Sequence, residues 1–435
     1  VATHRIARNI GWKTAGVVVE KGLRLVLVAL VARALGTATY GQYTYAVALA
    51  LLTVQMTDMG LGLFLAREIA RAEAPPPKLV GHVLTLKGLL SLAYLAVVAV
   101  IAWVHADEPA LAWTLGLAGV AGLCTSLVEA AWQVFRGVQR LELEARSSAV
   151  YAAVQLGVTG ATLAGSQVAG LTSTQIMVTV SAAMAVAGLV AVAHAWSLVL
   201  KVVRPLPGWS RETLRRFAVE VLPLGLAIVA SLVYFKIDVL MLREMRGDVE
   251  TGLYNAGYKV FENLAAIPAV LMAATFPALS RAVHLTGPEA GRLHRKTLSV
   301  LVAAGVGAGL VLALFPSLIT RLLYGDQFGP SADVLQALAP SVLLTFVNYL
   351  ETHMLVALGL VWPQFAMTAA LIGVNIAANL VLIPKWGGVG AAVATALTEL
   401  ALFAMAAPLV WYGLRRARAH AHATASAAQI AAEGP

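Results

Sequence analysis

Charge is scarce in this chain. Only 12% of its 435 residues are Asp, Glu, Lys or Arg, against about 25% in a soluble domain, and the mean hydropathy is +0.80. A water-facing surface cannot be built from such a sequence, which excludes a soluble fold and leaves an integral membrane protein. Cysteine is almost missing: Cys124 stands alone in an apolar stretch, so an intramolecular disulfide and a redox pair are both excluded. Zinc-protease, Walker and dinucleotide fingerprints are absent too. Transport by this chain could not be driven by its own ATP hydrolysis, and an ion gradient or substrate consumption must supply direction. The net charge of +9 would suit nucleic acid in a soluble protein. In a membrane protein excess base belongs to cytoplasmic loops, and no nucleic-acid partner is expected.

Long apolar runs are abundant. A span needs about 20 such residues at 1.5 Å rise each, and twelve stretches qualify: 10–32, 43–66, 79–104, 110–134, 147–165, 172–200, 217–242, 252–279, 297–318, 334–358, 361–383 and 389–413. The basic start, Arg5 and Arg8, precedes a long charged first helix without a small-residue cleavage site, so that helix is expected to stay as the first span. A linker at 201–216, with Pro205, Pro207 and five basic residues, divides the spans six and six. The expected organisation is a lobe at 1–204, a second at 205–414, and a disordered cytoplasmic tail at 415–435. With the N-terminus inside, inner segments hold 21 of the 31 Lys and Arg, and outer turns hold five. This positive-inside asymmetry predicts cytoplasmic termini.

A pattern repeats 211 residues apart. Gly36-x4-Gly41-x-Tyr43 is matched by Gly247-x4-Gly252-x-Tyr254, each copy between two apolar helices. Equal orientation of the halves makes this a parallel duplication about an axis along the membrane normal.

Thirteen ionisable residues fall within spans. Facing lipid, each would cost about 3 kcal/mol or more, so they are expected to face protein or a watery cavity. Glu20 and Arg24, four apart, and Lys259 and Glu262, three apart, can neutralise each other on their helices. They are structural pairs or part of a cavity that receives an anionic headgroup. Lys21 and Lys87 have no acid on the same helix face, which puts a ligand role level with a structural one. Asp58 and Glu399 are isolated acids, either proton or sodium sites or hydrogen-bonded structural groups. Lys236 is expected to snorkel, and Glu129, Glu220 and Glu351 to reach water. Tryptophans 12, 103, 113, 362, 386 and 411 read as interface anchors.

Arg33-Ala-Leu-Gly-x3-Tyr40-Gly41-x-Tyr43, Asp58-Met-Gly60-Leu, Thr251-Gly-Leu-Tyr-Asn-Ala, Phe276-Pro277 and Asn379-Leu-Val-Leu-Ile-Pro384-x3-Gly388-Val-Gly390 resemble the polysaccharide (O-antigen-type) flippase family of the multidrug/oligosaccharidyl-lipid/polysaccharide exporter superfamily. That resemblance implies an all-α polytopic membrane protein of about twelve transmembrane helices, two six-helix lobes around a central cavity, and alternating access. It further implies a lipid-linked oligosaccharide on polyprenyl pyrophosphate as cargo, moved from the cytoplasmic to the outer leaflet of a bacterial inner membrane. On that reading Arg24, Lys21, Lys87 and Lys259 bind the pyrophosphate beside Glu20 and Glu262. Asp58 and Glu399 couple H+ or Na+. No cofactor or catalytic residue is implied, membrane lipids surround the chain, and glycan polymerases or glycosyltransferases are candidate partners. A cation-coupled multidrug exporter is the rival reading, with Asp58, Glu262 and Glu399 as its acids.

Overall fold

The structure, a computed structural model, describes the backbone of residues 2–285 and 287–432. Side chains are described at residues 22, 25–219, 225, 232, 236–283 and 289–417. Every regular element is helical, with no strand among the described residues. The helices are α1 (Ala2–Val54), α2 (Leu61–Arg71), α3 (Pro77–Val104), α4 (Pro109–Gly137), α5 (Leu141–Val168), α6 (Ser173–Val199), α7 (Arg211–Arg216), α8 (Leu222–Arg246), α9 (Asp248–Leu264), α10 (Ala266–Leu285), α11 (Gly287–Leu314), α12 (Pro316–Tyr324), α13 (Ser331–Ala357) and α14 (Val361–Ala432). Helical backbone runs through all twelve expected spans, interrupted briefly at 58–60, Ala265 and Phe315. Eight stretches among the described residues are long and apolar enough to cross a membrane.

Local chemistry sets several of the ends. Pro77 and Pro109 open α3 and α4, where the missing N–H is one that no helix turn would use. Thr172 and Gln175 form a reciprocal capping box at the start of α6. Many large apolar side chains are exposed, Leu92 and Val168 among them. The described anchor tryptophans, 103, 113, 362, 386 and 411, are exposed as well. Lipid gives helices no hydrophobic reason to associate, so close approach at small residues does that work. Gly188 lies against Cys124, Gly137 against Ile69, and Gly119 against Val98.

Two expected turns are made by a single non-helical residue each. α1 passes through 33–43 with only Gly36 non-helical, at φ 73° and ψ 173°. α14 passes through 383–390 with only Gly387 non-helical. A single residue that accepts positive φ is enough to redirect a helix. α14 also continues as backbone helix to Ala432, through most of the stretch read as tail.

Contacts group the chain into two compact units. One runs to Asn255 and includes Leu323–Phe328; the other comprises Ala256–Leu322 and the chain from Gly329 on. The first unit is centred on Phe64, Leu65, Val128, Val134, Phe135 and Val199. It also contains both glycine motifs, and they meet. A Cβ on Gly41 would overlap the Asp248 carbonyl and press on the Gly252 nitrogen; a Cβ on Gly252 would overlap the Thr37 carbonyl and press on the Gly41 nitrogen. Thr37 and Asp248 hold equivalent places after Gly36 and Gly247, both at positive φ. The contact is therefore reciprocal. In the second unit α13 packs on both α11 and α14, with Leu335, Leu338, Phe346 and Leu350 fully buried.

Gly41→Ala or Gly252→Ala should destabilise the protein by about 1–3 kcal/mol through overpacking. Gly160→Ala, where a Cβ meets nothing within 4 Å, is the control. Thermal unfolding in detergent, followed by exposure of the buried Cys124 thiol, reads the difference; equal midpoints for all three would disprove the crossing.

Candidate functional site

Lys87 is the most deeply placed cation among the described residues of the first unit, 1% exposed in the middle of α3. Its ammonium has three donors, and three acceptors surround it: Ser126 Oγ at 2.8 Å, Asp58 Oδ1 at 3.3 Å and the Thr57 carbonyl at 3.3 Å. Thr57 Oγ1 also lies 2.6 Å from Ser126 Oγ. Lys87 has no acid on its own helix face, but it has Asp58 across the helices, and the reading of Asp58 as isolated is corrected. The partner comes from another helix, which same-face spacing does not detect.

Asp58 owes its position to a break. α1 tightens into a 3-10 turn at Gln55–Thr57, and then Met59 takes φ 42° and Gly60 φ 86° before α2 begins. Positive φ is an outlier for a bulky residue such as Met, and strain of this kind persists where surrounding contacts over-determine it. Gly225 of α8 supplies the clearance, since a Cβ there would collide with the Met59 carbonyl. The Asp58 side chain remains 28% exposed while Lys87 is covered. A half-open carboxylate on a sealed ammonium can meet an incoming ion on one side only. From Asp58 a polar strip runs past Gly62 to Gln133, then to Glu129 at 3.4 Å. Arg136 continues it, binding Glu129 at 2.8 Å and Glu144 at 2.7 Å.

The second unit holds Lys259 on Glu262 at 2.6 Å, both partly exposed on α9. Glu399, 5% exposed, accepts from Asn348 Nδ2 at 2.7 Å. Asn379 donates to Asn375 at 3.0 Å, and Asn375 to Thr398 at 3.4 Å. The amide oxygens of Asn348 and Asn379 are buried without a hydrogen-bond partner among the described residues. Glu351 does not reach water: it is 3% exposed and 3.0 Å from His294 Nε2. Lys236 is buried rather than snorkelling. Glu20, Lys21, Arg24 and Glu220 lie outside the residues whose side chains are described. No group of three or more His, Cys, Asp or Glu suited to a metal occurs among the described residues.

A further network surrounds the glycine crossing. Arg243 reaches both Glu108 carboxylate oxygens at 3.0 Å and Asp248 at 2.8 Å, with its guanidinium 4.4 Å from the Tyr45 ring centroid. Burial opposes that charge, but the hydrogen bonds to Asp248 and Glu108 outweigh it and hold the guanidinium above its ordinary pKa. Gln42 donates to Asp248 at 2.8 Å. Arg33 donates to the Leu323 carbonyl at 2.9 Å, and Gln327 to the Arg33 carbonyl at 2.9 Å. Arg33 and Arg243 are two of the five bases that the charge asymmetry assigns to outer turns. The duplicated glycines were the available signal that these segments meet.

The regular structure of the described residues is thus entirely helical, with ion pairs held inside apolar helices. The MurJ lipid II flippase in an inward closed conformation is similar to this chain with a TM-score of 0.73 at 11% identity, over 94% of this chain and 90% of that one. An inward-facing multidrug resistance MATE family transporter of the MOP superfamily matches at 0.70 and 14%, over 92% and 95%. A MOP superfamily transporter from Pyrococcus furiosus matches at 0.61 and 14%, over 94% and 96%. The shared feature at such identities is the fold. No curated protein sequence matches the chain. Residues 6–283 match the polysaccharide biosynthesis protein family, and the chain belongs to it.

Asp58→Ala should cost about 3–5 kcal/mol, because it leaves a buried ammonium without its counter-charge. The double variant Lys87→Met, Asp58→Ala should recover most of that loss in the same thermal assay. Additive losses would mean the two groups are not coupled. For the second network, a cysteine at Thr44 in a Cys124→Ala background should react slowly with maleimide in detergent. Adding Arg243→Ala should speed the reaction severalfold, and an unchanged rate would rule out a closing role for Arg243.

Proposed function

We propose that this protein is a flippase that moves a polyprenyl-pyrophosphate-linked oligosaccharide from the cytoplasmic to the outer leaflet for surface polysaccharide synthesis. Membership of the polysaccharide biosynthesis family over residues 6–283 carries the reading. Two observations support it: the fold is shared with a lipid II flippase, and each unit keeps a lysine paired to a carboxylate within its helices. The duplicated lobes at 1–204 and 205–414 would enclose a central cavity and alternate in access, with both termini cytoplasmic.

The chemistry follows from charge exchange. A pyrophosphate leaving water needs counter-charges already desolvated, or the transfer is prohibitively costly. Lys259, 25% exposed in its pair with Glu262, can change partner from carboxylate to diphosphate, with Lys21 and Arg24 as further cations. Lys87 takes part when Asp58 is neutralised, because all three of its acceptors are then weak or neutral. H+ or Na+ at Asp58 would couple the ion to the headgroup. Glu399, held by the Asn348 amide, would be a second carboxylate for such an ion.

The test is reconstitution with a fluorescent polyprenyl-diphosphate oligosaccharide, read by protection from an impermeant quencher. Wild type should transfer it, Lys259→Gln should lose most of the rate, and the exposed Lys385→Gln should keep it. Efflux of a cationic dye by the same vesicles, without lipid transfer, would replace this reading with the multidrug exporter.

A further inference from the structure

Between the ends of α10 and α11 lies a groove of about 470 Å³ that belongs to none of the sites above. Arg281 stands on one wall; Arg292 and Lys296, one turn apart, stand on the other. Ala278, Ala282 and Leu293 line it between them, and Glu289 is the single acid. Arg281, Arg292 and Lys296 are exposed, and none has an ion pair among the described residues. Glu289 has an interaction of its own. The intervening sequence, 284–288, contains no carboxylate. Three cations therefore share one concave place with a net excess of positive charge, above a strip of small and apolar side chains.

We infer that this groove binds the phosphate or diphosphate headgroup of an anionic lipid, with the apolar floor meeting the first carbons of its chain. Guanidinium groups on facing walls can hold phosphate oxygens in paired hydrogen bonds, and basic pockets between spanning helices on the cytoplasmic side take phosphorylated headgroups in this way. The basic segment 281–296 falls on the side that the charge asymmetry assigns to the cytoplasm. The volume lies within the range of small-ligand sites and is larger than a bare phosphate requires. Arg292 and Lys296 are spaced to grip one headgroup from one helix, and Arg281 closes it from the other. Two lipids carry this chemistry: an anionic phospholipid of the leaflet, and the lipid-linked diphosphate of the proposed transport. In the second case the groove would hold cargo at the membrane surface before uptake, and that part alone rests on the flippase reading.

Native mass spectrometry of the full chain in detergent tests it, with phosphatidylglycerol, polyprenyl diphosphate and neutral phosphatidylcholine offered separately. At least one of the two phosphate lipids should be retained over phosphatidylcholine. Arg292→Gln with Lys296→Gln should weaken that retention by roughly thirtyfold, about fivefold for each charge and slightly more together. Arg281→Gln, on the facing helix, should weaken it about fivefold, and Lys385→Gln should leave it unchanged. Retention of phosphatidylglycerol alone assigns the site to the leaflet and stands even if lipid transfer fails in vesicles. Loss of polyprenyl diphosphate alone assigns it to the cargo. Equal retention of both lipids by wild type and variants would overturn the site.

Discussion

An ion inside hydrocarbon has to bring its opposite with it, and the first unit is arranged around one such partnership. Lys87 could not lie 1% exposed in an apolar helix without the carboxylate of Asp58, the hydroxyl of Ser126 and the Thr57 carbonyl around it. For Asp58 to arrive there, α1 must end, Met59 must accept positive φ, and Gly225 must leave room for a carbonyl. Backbone strain, a missing side chain and a buried charge are thus parts of one constraint. The same rule explains Arg243, whose charge is held between Glu108 and Asp248.

Much of this was readable from residue order alone. Apolar run lengths located the twelve helical passages, because hydrocarbon thickness fixes the number of residues needed to cross it. The glycine and tyrosine spacing announced a duplication. Lys259 and Glu262 were legible as a pair because three residues along a helix bring side chains together. Partnerships between helices were not legible. Lys87 and Asp58 are 29 residues apart, His294 and Glu351 are 57 apart, and no periodicity on one helix reports the other. The Asp58-Met-Gly60 break was hidden for a different reason: one glycine within an apolar run does not distinguish a tolerated residue from a bend. The turns expected around Gly36 and Gly387 are tighter than their sequences suggest, each made by one non-helical glycine between two helices.

The membership in a polysaccharide biosynthesis family and the transporter fold bear on different questions. The first concerns the pathway in which the chain acts; the second concerns how a bundle of helices can move a polar load. In both units a lysine and a carboxylate stay paired within the helices, Lys87 with Asp58 and Lys259 with Glu262.

The crossing of Gly41 and Gly252 has an evolutionary corollary. Each hairpin presents to the other the surface that it receives, so the contact is isologous, as at the interface of a symmetric dimer. A half-length ancestor with a single hairpin could have made the same junction with a second copy of itself. Gene fusion would then have frozen that dimer into one polypeptide, after which Glu108, Arg243 and the other flanking residues were free to diverge.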